Sequence, residues 1–454
     1  MLFDTIGRQD NTKAELDHWE EMEDFDSRLS RLLEWVNSTQ SDEKSSQQTY
    51  ISPNLSVRDV EGSGRGVYAK ESIKSNHLII NIPHVFLMNF VTVLNHISKY
   101  NGMKLEHQVR VPSDIYHDKY TTIYHKLTKS ELLGLTSFQL LSMYITIERK
   151  REKSYWKPFL DMLPTINDFS LMPLNYDADT LDLLPKSTRE MHNKVLKRFN
   201  RDYKVVLDLL SGKTENVQSI IPRDEFLLSW LSINSRCLYM KLPTSASTQD
   251  NFTLAPYIDF INHSPDDHCN LKIDNKGFQV FTTSSYSADE QLYFSYGPHS
   301  NDFLLTEYGF IVPNNKWDDI DVSEAILTML KGSQKEFLKQ HDYLGNYTVN
   351  KDGLSFRTEL ALATLQESAP QDSRRLIALI NGNFDGTSYK PTSTELISSI
   401  LGTVIHEAEQ YQYLQYADDE NLTLRARKRT IGTLYKDRKQ LAREVIDDLS
   451  HLYA

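Results

Sequence analysis

Three stretches of the chain carry side chains that could bind a ligand or do chemistry. Asn262 and His263 follow an apolar run, and Tyr296 ends a β-rich run. Twelve residues after that tyrosine, Tyr308 and Phe310 add two more aromatic rings. Taken singly, each stretch is more simply structural, because an Asn-His pair usually bonds to loop backbone groups and aromatic rings usually fill cores. Only their combination can indicate an active site.

A glycine-rich turn, Gly62-Ser63-Gly64-Arg65-Gly66, lies upstream of these residues. It is not a Rossmann fingerprint, since valine stands where the third glycine is required, and no Gly-Lys-Ser/Thr follows for a P-loop. Glycine nevertheless lets the backbone approach a ligand closely, so backbone donors and carbonyls of the turn could bind an amino-acid-like head group. An ordinary hairpin turn is the alternative.

Two further groups of residues could mark a metal or a nucleic acid. His263, His268 and Cys269 lack a second cysteine pair, so we expect no metal site. The basic run 425–429 follows the acidic run 418–420, which favours a solvated helix face over a nucleic-acid patch.

Length and composition argue against several functional classes. The 454 residues are enough for two or three domains, and 50 Lys and Arg against 62 Asp and Glu give a net charge of −12. A chain this acidic lacks the positive field of phosphate-backbone binders, so we expect no direct contact with nucleic acid. Two cysteines, Cys237 and Cys269, cannot form a disulfide framework, which favours a reducing compartment. There is no apolar run of about 18 residues and the N-terminus is densely charged, so we expect neither a membrane span nor a signal peptide.

The hydrophobic pattern predicts the secondary-structure elements that carry the candidate site residues. Residues 25–36 have apolar side chains at three- and four-residue spacing, which predicts an amphipathic helix, and the polar stretch 37–49 is typical of a loop. Strands are predicted on both sides of the glycine turn, within 51–83. Further on, the aromatic segment 155–160 contains a proline and predicts an ordered loop.

Residues from about 95 to 225 are predicted to be helical. Thr136 with Gln139, and Ser187 with Glu190, have the spacing of capping boxes that begin helices.

Strand character returns at about 254–297, and helical patterns continue beyond 315 to the end of the chain. The order β, helical, β, helical predicts an α+β fold rather than a doubly wound α/β fold.

Five motifs in this order give the sequence a recognisable likeness. It resembles the SET-domain protein methyltransferases, and among them the subgroup of the Rubisco large-subunit lysine methyltransferase. The motifs that carry the resemblance are 64–67, 235–236, 259–264, 294–301 and 304–310.

The resemblance implies a SET-domain β-fold with a pseudoknot, interrupted by a helical insertion and followed by an all-helical C-terminal lobe. The implied divisions are an N-terminal extension with the amphipathic helix (1–50), the N-terminal part of the SET domain (51–95), the insertion (96–225), the C-terminal part of the SET domain (226–315) and a substrate-binding lobe (316–454).

The resemblance also implies a role for each motif residue, with S-adenosyl-L-methionine as the cofactor. Tyr296 resembles the active-site tyrosine of the family. The implied cofactor-binding residues are Ser63, Gly64, Arg65, Arg236, Asn262, His263 and Phe310. The implied substrate-binding residues are Arg236, Met240, Asp259, Tyr296 and Tyr308.

Such a site suits methyl transfer to an amine. The lysine amine must be neutral to attack, although its ordinary pKa is about 10.4. An aromatic, water-poor channel disfavours the ammonium form, so a strong base is unnecessary. The Tyr296 hydroxyl and nearby carbonyl oxygens can orient the amine and accept weak CH···O contacts from the methyl group.

The implied function is transfer of a methyl group from S-adenosylmethionine to a lysine of a non-histone protein, with a ribosomal protein or translation factor as the leading substrate. The lack of the cysteine-rich zinc motifs that often flank histone-directed members favours this class. We expect a monomeric, cytoplasmic or nucleo-cytoplasmic enzyme without direct nucleic-acid or membrane contacts. A protein histidine methyltransferase and a non-catalytic SET scaffold that binds a lysine-bearing partner remain alternatives.

Overall fold

The structure of the protein is a computed structural model. It describes residues 24–38, 48–60, 64–109, 111, 116–242, 251–266, 269–274 and 277–451. Gly62, Ser63 and His268 lie outside the described residues, so the predictions for them stay predictions.

The first part of the described chain is an amphipathic helix followed by short strands. These elements are α1 (Phe25–Asn37), β1 (Tyr50–Ile51), β2 (Leu55–Val60), β3 (Gly64–Ala69), β4 (Leu78–Ile82) and β5 (Met88–Asn89).

A helical insertion follows. Its helices are α2 (Phe90–Asn101), α3 (Thr122–Lys126), α4 (Lys129–Leu133), α5 (Ser137–Arg149), α6 (Lys157–Leu160), α7 (Ala178–Asp182), α8 (Lys186–Leu210), α9 (Val217–Ile220) and α10 (Arg223–Arg236).

Strands then return, followed by one helix. These elements are β6 (Leu238–Tyr239), β7 (Phe252–Leu254), β8 (Asn262–His263), β9 (Cys269–Asp274), β10 (Gly277–Thr282), β11 (Gln291–Phe294) and α11 (Asn301–Tyr308).

The C-terminal lobe combines helices with a small sheet. Its elements are β12 (Asp319–Asp321), α12 (Ser323–Met329), α13 (Gly332–Gln340), β13 (Thr348–Asn350), β14 (Gly353–Leu354), α14 (Phe356–Leu365), α15 (Arg374–Ile380), α16 (Lys390–Tyr411) and α17 (Leu422–His451).

The strands form four small sheets. Their orders are β1-β4-β10-β9, β2-β3-β11-β8, β5-β7-β6 and β12-β13-β14. The β8–β11 pair is parallel and sets Asn262 opposite Tyr293 and His263 opposite Phe294, whereas the other named strand pairs are antiparallel. This pairing brings the stretch with Asn262 and His263 next to the stretch that ends at Tyr296.

Apolar side chains are buried in two main cores. The larger core is shared by α1, the first three sheets and the insertion, and the other lies within the C-terminal lobe. A smaller cluster joins the two regions through Leu184, Leu305 and Leu434. The insertion is therefore packed on the sheets, while the lobe has a core of its own.

The α+β class is confirmed, and so are the N-terminal helix and the capping box at Thr136, whose hydroxyl accepts from the Gln139 backbone N–H (3.3 Å). The second capping box is wrong, because α8 begins after Pro185 and the Ser187 hydroxyl donates instead to Asp302 (2.8 Å). The loop expected at 155–160 ends in the short helix α6.

The all-helical lobe is also a wrong prediction, because β12, β13 and β14 form a sheet there. These strands are only two or three residues long, too short for an alternating pattern to be seen in the sequence. The domain boundaries themselves stay a prediction.

The lobe is joined to the rest of the molecule by buried polar contacts. Arg438 of α17 forms an ion pair with Asp302 at the beginning of α11, and each side chain is 7% exposed. The carboxylate of Asp302 also accepts from Ser187 (2.8 Å) and Thr188 (2.5 Å) of α8. One carboxylate therefore holds the insertion, α11 and the lobe together.

The basic run 425–429 belongs to the same junction. Arg427 donates to the carbonyl oxygens of Ser170 and Asn175 in the insertion, both at 2.8 Å. Lys428 pairs with Asp419 at 2.7 Å. The solvated helix face expected here is thus wrong for Arg427, which holds the lobe on the insertion.

The carboxyl of Asp319 beside this junction predicts a pH-dependent stability. Burial, followed by the charges of Asp302 and Asp318, raises its pKa from 3.8 to about 7. The folded protein therefore keeps this proton to higher pH than the unfolded chain, and the stability that the proton provides is lost as pH rises from about 4 to about 7. Asp319→Asn should stabilise the protein by about 1–2 kcal/mol at pH 8 and by little at pH 4.5.

Urea unfolding of both proteins at the two pH values checks this, with Asp352→Asn in the exposed turn between β13 and β14 as the control. An Asp319→Asn effect that does not change between pH 4.5 and pH 8 would contradict the prediction.

Candidate active site

A cavity of about 360 Å³ opens beside the end of β11. Its wall comes from the end of α10 with β6, the segment before β8, the beginning of β9, the end of β11 and Tyr308. Four of the five residues assigned to the substrate side lie in this wall, namely Arg236, Asp259, Tyr296 and Tyr308. The sequence motifs thus meet at one cavity.

Tyr296 is held at both its backbone and its hydroxyl. Its hydroxyl donates to the carbonyl oxygen of Ile261 (2.9 Å), and its backbone N–H donates to Nδ1 of His263 (3.0 Å). Burial raises the pKa of Tyr296 well above its ordinary value, so the hydroxyl is protonated at neutral pH. A hydroxyl that donates to a carbonyl keeps its lone pairs available as acceptors.

Arg236 and Asp259 form a partly buried ion pair in the cavity wall. Nη1 of Arg236 lies 2.6 Å from the backbone oxygen of Asp259 and 3.2 Å from its Oδ2. Burial raises the pKa of the Asp259 carboxyl, and attraction to Arg236 and Arg65 offsets only part of that rise. Among the described residues, Oδ1 of Asp259 has no hydrogen-bond partner.

Aromatic rings surround Tyr296. The ring centre of Tyr308 lies 5.1 Å from that of Tyr296, and His263 lies 5.1 Å from Tyr296 and 5.9 Å from Phe310. Tyr308 lines the cavity, whereas His263 and Phe310 do not. Tyr296 therefore lies next to the cavity and next to two of the residues assigned to the cofactor, His263 and Phe310, while Arg236, assigned to both cofactor and substrate, lies in the cavity wall.

His263 is fixed in one neutral form by its contacts. Because Nδ1 accepts from the Tyr296 N–H, we assign the proton to Nε2, which is buried and has no partner among the described residues. Burial and then the charge of His299 lower the pKa of His263, which favours this neutral form. The Nε2–H is a donor available to a ligand.

The glycine turn packs directly against Asn262. Nδ2 of Asn262 donates to the carbonyl oxygen of Arg65 (2.9 Å). A Cβ on Gly66 would lie 3.1 Å from the same nitrogen and 2.3 Å from Nε2 of Gln291. The Arg65 side chain points to the insertion, where it donates to the Met162 carbonyl (2.6 Å). The turn is therefore brought to β8 through backbone groups.

Met240 is not among the cavity-lining residues, unlike the other residues assigned to the substrate side. Its backbone N–H donates to the Asn251 carbonyl (2.9 Å), and its side chain packs against the main core. Five of the residues assigned to the cofactor are likewise outside the cavity wall, namely Gly64, Arg65, Asn262, His263 and Phe310. His263 and Phe310 lie next to the Tyr296 ring, and Asn262 is bonded to the glycine turn.

Sequence reasoning missed several groups that the site uses. Glu307 accepts from Arg198 of α8 (2.6 Å) and from Asn234 of α10 (2.8 Å), which fixes the end of α11 just before Tyr308. Nothing in the sequence distinguishes the Ile261 carbonyl from any other. His299 lies inside the motif 294–301, but its role could not be read from its type alone.

The described residues contain no cluster of three or more His, Cys, Asp or Glu that could hold a metal ion. In the same part of the chain no helix is long and apolar enough to cross a membrane.

Family comparisons match both halves of the chain. The SET domain model matches residues 64–297, and the model of the ribosomal lysine N-methyltransferase 2 C-terminal domain matches residues 318–448.

Two relatives match most of the chain. Ribosomal lysine N-methyltransferase 2 of Saccharomyces cerevisiae is 29% identical and covers 83% of this chain and 90% of its own. Ribosomal lysine N-methyltransferase set11 of Schizosaccharomyces pombe is 28% identical and covers 80% of this chain and 86% of its own.

A solved structure described as the SET domain of LSMT bound to lysine and AdoHcy has the same fold. It superposes with a TM-score of 0.57 at 14% identity and covers 94% of this chain and 92% of its own.

Proposed function

Because the chain belongs to the SET-domain family, we propose that the cavity beside Tyr296 receives the target lysine and that the residues behind Tyr296 hold S-adenosyl-L-methionine. The chain is a protein-lysine N-methyltransferase that uses this cofactor, and its substrate is a lysine of a ribosomal protein. The observation that carries the proposal is the Tyr296 hydroxyl, which is held on the Ile261 carbonyl in the cavity wall while His263 bonds to the backbone of the same tyrosine.

The residues behind Tyr296 fit a cofactor with an amino-acid end and an aromatic base. The backbone of Gly64 and Arg65 would hold the methionine end, with Asn262 next to it through its bond to the Arg65 carbonyl. The unpartnered Nε2–H of His263 and the ring of Phe310 would hold the adenosine end. When bound, S-adenosylmethionine supplies a methyl group on a positively charged sulfur, which aromatic faces favour.

The residues of the cavity prepare the lysine amine. Tyr308 and Phe294 remove it from water, which disfavours the ammonium form. The Tyr296 hydroxyl donates to Ile261 and can accept from the amine, which directs the nitrogen lone pair towards the cofactor side. The protein therefore acts by desolvation and positioning rather than through a strong base.

We extend the proposal to a monomer that works in the cytoplasm or nucleo-cytoplasm without direct nucleic-acid contacts. The net charge of −12 supports the last of these points, because it suits a basic protein target rather than a phosphate backbone.

A ribosomal substrate is tested with radiolabelled S-adenosylmethionine and ribosomal proteins from a Saccharomyces cerevisiae strain that lacks ribosomal lysine N-methyltransferase 2. We expect label on a lysine in these proteins, located by mass spectrometry, and much less label on proteins from the parental strain. Label on a histidine would favour the histidine methyltransferase alternative, and no label on any ribosomal protein would contradict the proposed substrate class.

A further inference from the structure

His299 lies three residues after Tyr296 and forms a hydrogen bond with the backbone carbonyl of that tyrosine. Its Nε2 donates to the carbonyl oxygen of Tyr296 (3.0 Å), while His263 accepts from the Tyr296 N–H (3.0 Å). With the hydroxyl on Ile261, Tyr296 therefore has three hydrogen bonds that restrict its position.

The His299 ring is itself fixed. It stacks on Phe303 of α11 with ring centres 4.2 Å apart and planes at 21°. The carbonyl oxygen of His299 accepts from Nδ2 of Asn315 (2.8 Å), and its backbone N–H donates to Gly297 (3.0 Å). The His299 ring that donates to the Tyr296 carbonyl is therefore held in place by its own contacts.

The turn between Tyr296 and His299 packs closely against the His299 ring. Gly297 has φ +123°, a conformation that glycine adopts readily, and a Cβ at this position would lie 2.7 Å from Nε2 of His299. The imidazole therefore lies against the backbone of the turn, between Tyr296 and the beginning of α11.

We propose that His299 is a positioning residue for methyl transfer, which acts by donating the Nε2–H to the Tyr296 carbonyl and so keeps the Tyr296 hydroxyl on Ile261. The inference rests on the proposed function of Tyr296. It does not require His299 to contact substrate or cofactor, because its contacts are with the turn, α11 and Asn315.

Two variants separate the donor from the ring packing. His299→Gln keeps an N–H donor but loses the aromatic ring, whereas His299→Phe keeps the stacking on Phe303 but has no donor. If the hydrogen bond matters, His299→Phe should lower kcat by at least about tenfold, because a displaced reacting group loses rate steeply. His299→Gln should retain most of kcat, and KM for the ribosomal proteins and the affinity for S-adenosylmethionine should change little in both.

A role in packing alone predicts the reverse order, with His299→Phe more active than His299→Gln, and that result would overturn the proposal. Equal activity of wild type and His299→Phe would also overturn it. Inactive wild-type protein in the same assay would instead contradict the proposed substrate.

A crystal structure of His299→Phe tests the inference without any substrate. We expect the Tyr296 hydroxyl to have left the Ile261 carbonyl, and an unchanged 2.9 Å hydrogen bond would overturn the proposal.

Discussion

Replacing Tyr296 by phenylalanine is expected to lower kcat by about 100-fold or more while the affinity for S-adenosylmethionine stays within about threefold of wild type. The substitution removes only the oxygen that donates to the Ile261 carbonyl. The ring and its contacts with Tyr308 and His263 can remain, as can the backbone bond to His263. Loss of rate without loss of cofactor binding would therefore assign the effect to the hydroxyl.

Steady-state kinetics with ribosomal proteins and a calorimetric titration with S-adenosylmethionine measure the two quantities. Tyr416→Phe is the matched control, since it removes the same oxygen from a tyrosine that is 78% exposed between α16 and α17. Turnover at the wild-type rate in Tyr296→Phe would contradict the role of this residue. Wild-type protein with no affinity for S-adenosylmethionine would favour a non-catalytic scaffold.

Removing the arginine of the buried ion pair is expected to cause the largest loss of stability. Arg438→Leu leaves the Asp302 carboxylate buried, and among the described residues its remaining partners are the hydroxyls of Ser187 and Thr188. Breaking a buried pair from one side costs about 3–5 kcal/mol, because the remaining charge is neither paired nor hydrated. Urea unfolding at pH 7.5 measures the change in the free energy of unfolding.

The double variant Asp302→Asn with Arg438→Leu is the control, because it removes both charges. It should recover a large part of the loss, since a buried ion pair replaced as a whole is often nearly neutral. If Arg438→Leu cost less than about 1 kcal/mol, the ion pair would not hold the lobe to α8 and α11 in the way that the structure indicates.

The same pair connects the lobe to the active site through one short helix. Asp302 lies at the beginning of α11 and Tyr308 at its end. Glu307, next to Tyr308, is fixed by Arg198 and Asn234. The position of Tyr308 in the cavity wall therefore depends on contacts from the lobe at one end of α11 and from the insertion at the other.

Much of the fold could be predicted from local patterns. The three- and four-residue spacing in 25–36 and the Thr136 capping box depend on neighbours within one or two turns, and both predictions were confirmed. The Ser187 box failed because α8 begins two residues earlier than predicted, after Pro185, which places Ser187 inside the helix and not at its N-cap. Its hydroxyl donates to the Asp302 carboxylate, 115 residues away in the chain. The strands of the lobe were not predicted, because two or three residues are too few to show an alternating pattern.

Local patterns in the sequence were enough to predict the β, helical, β order before the C-terminal lobe, and the resemblance of the motifs indicated the family and its chemistry. The contacts between particular atoms follow from the folded chain alone. Tyr296 is held by the Ile261 carbonyl, 35 residues earlier in the chain, and by the ring of His299, and neither contact leaves a signal in the sequence. Backbone carbonyls are the same at every position, so only the folded chain selects one of them, and it does so by the parallel pairing of β8 with β11.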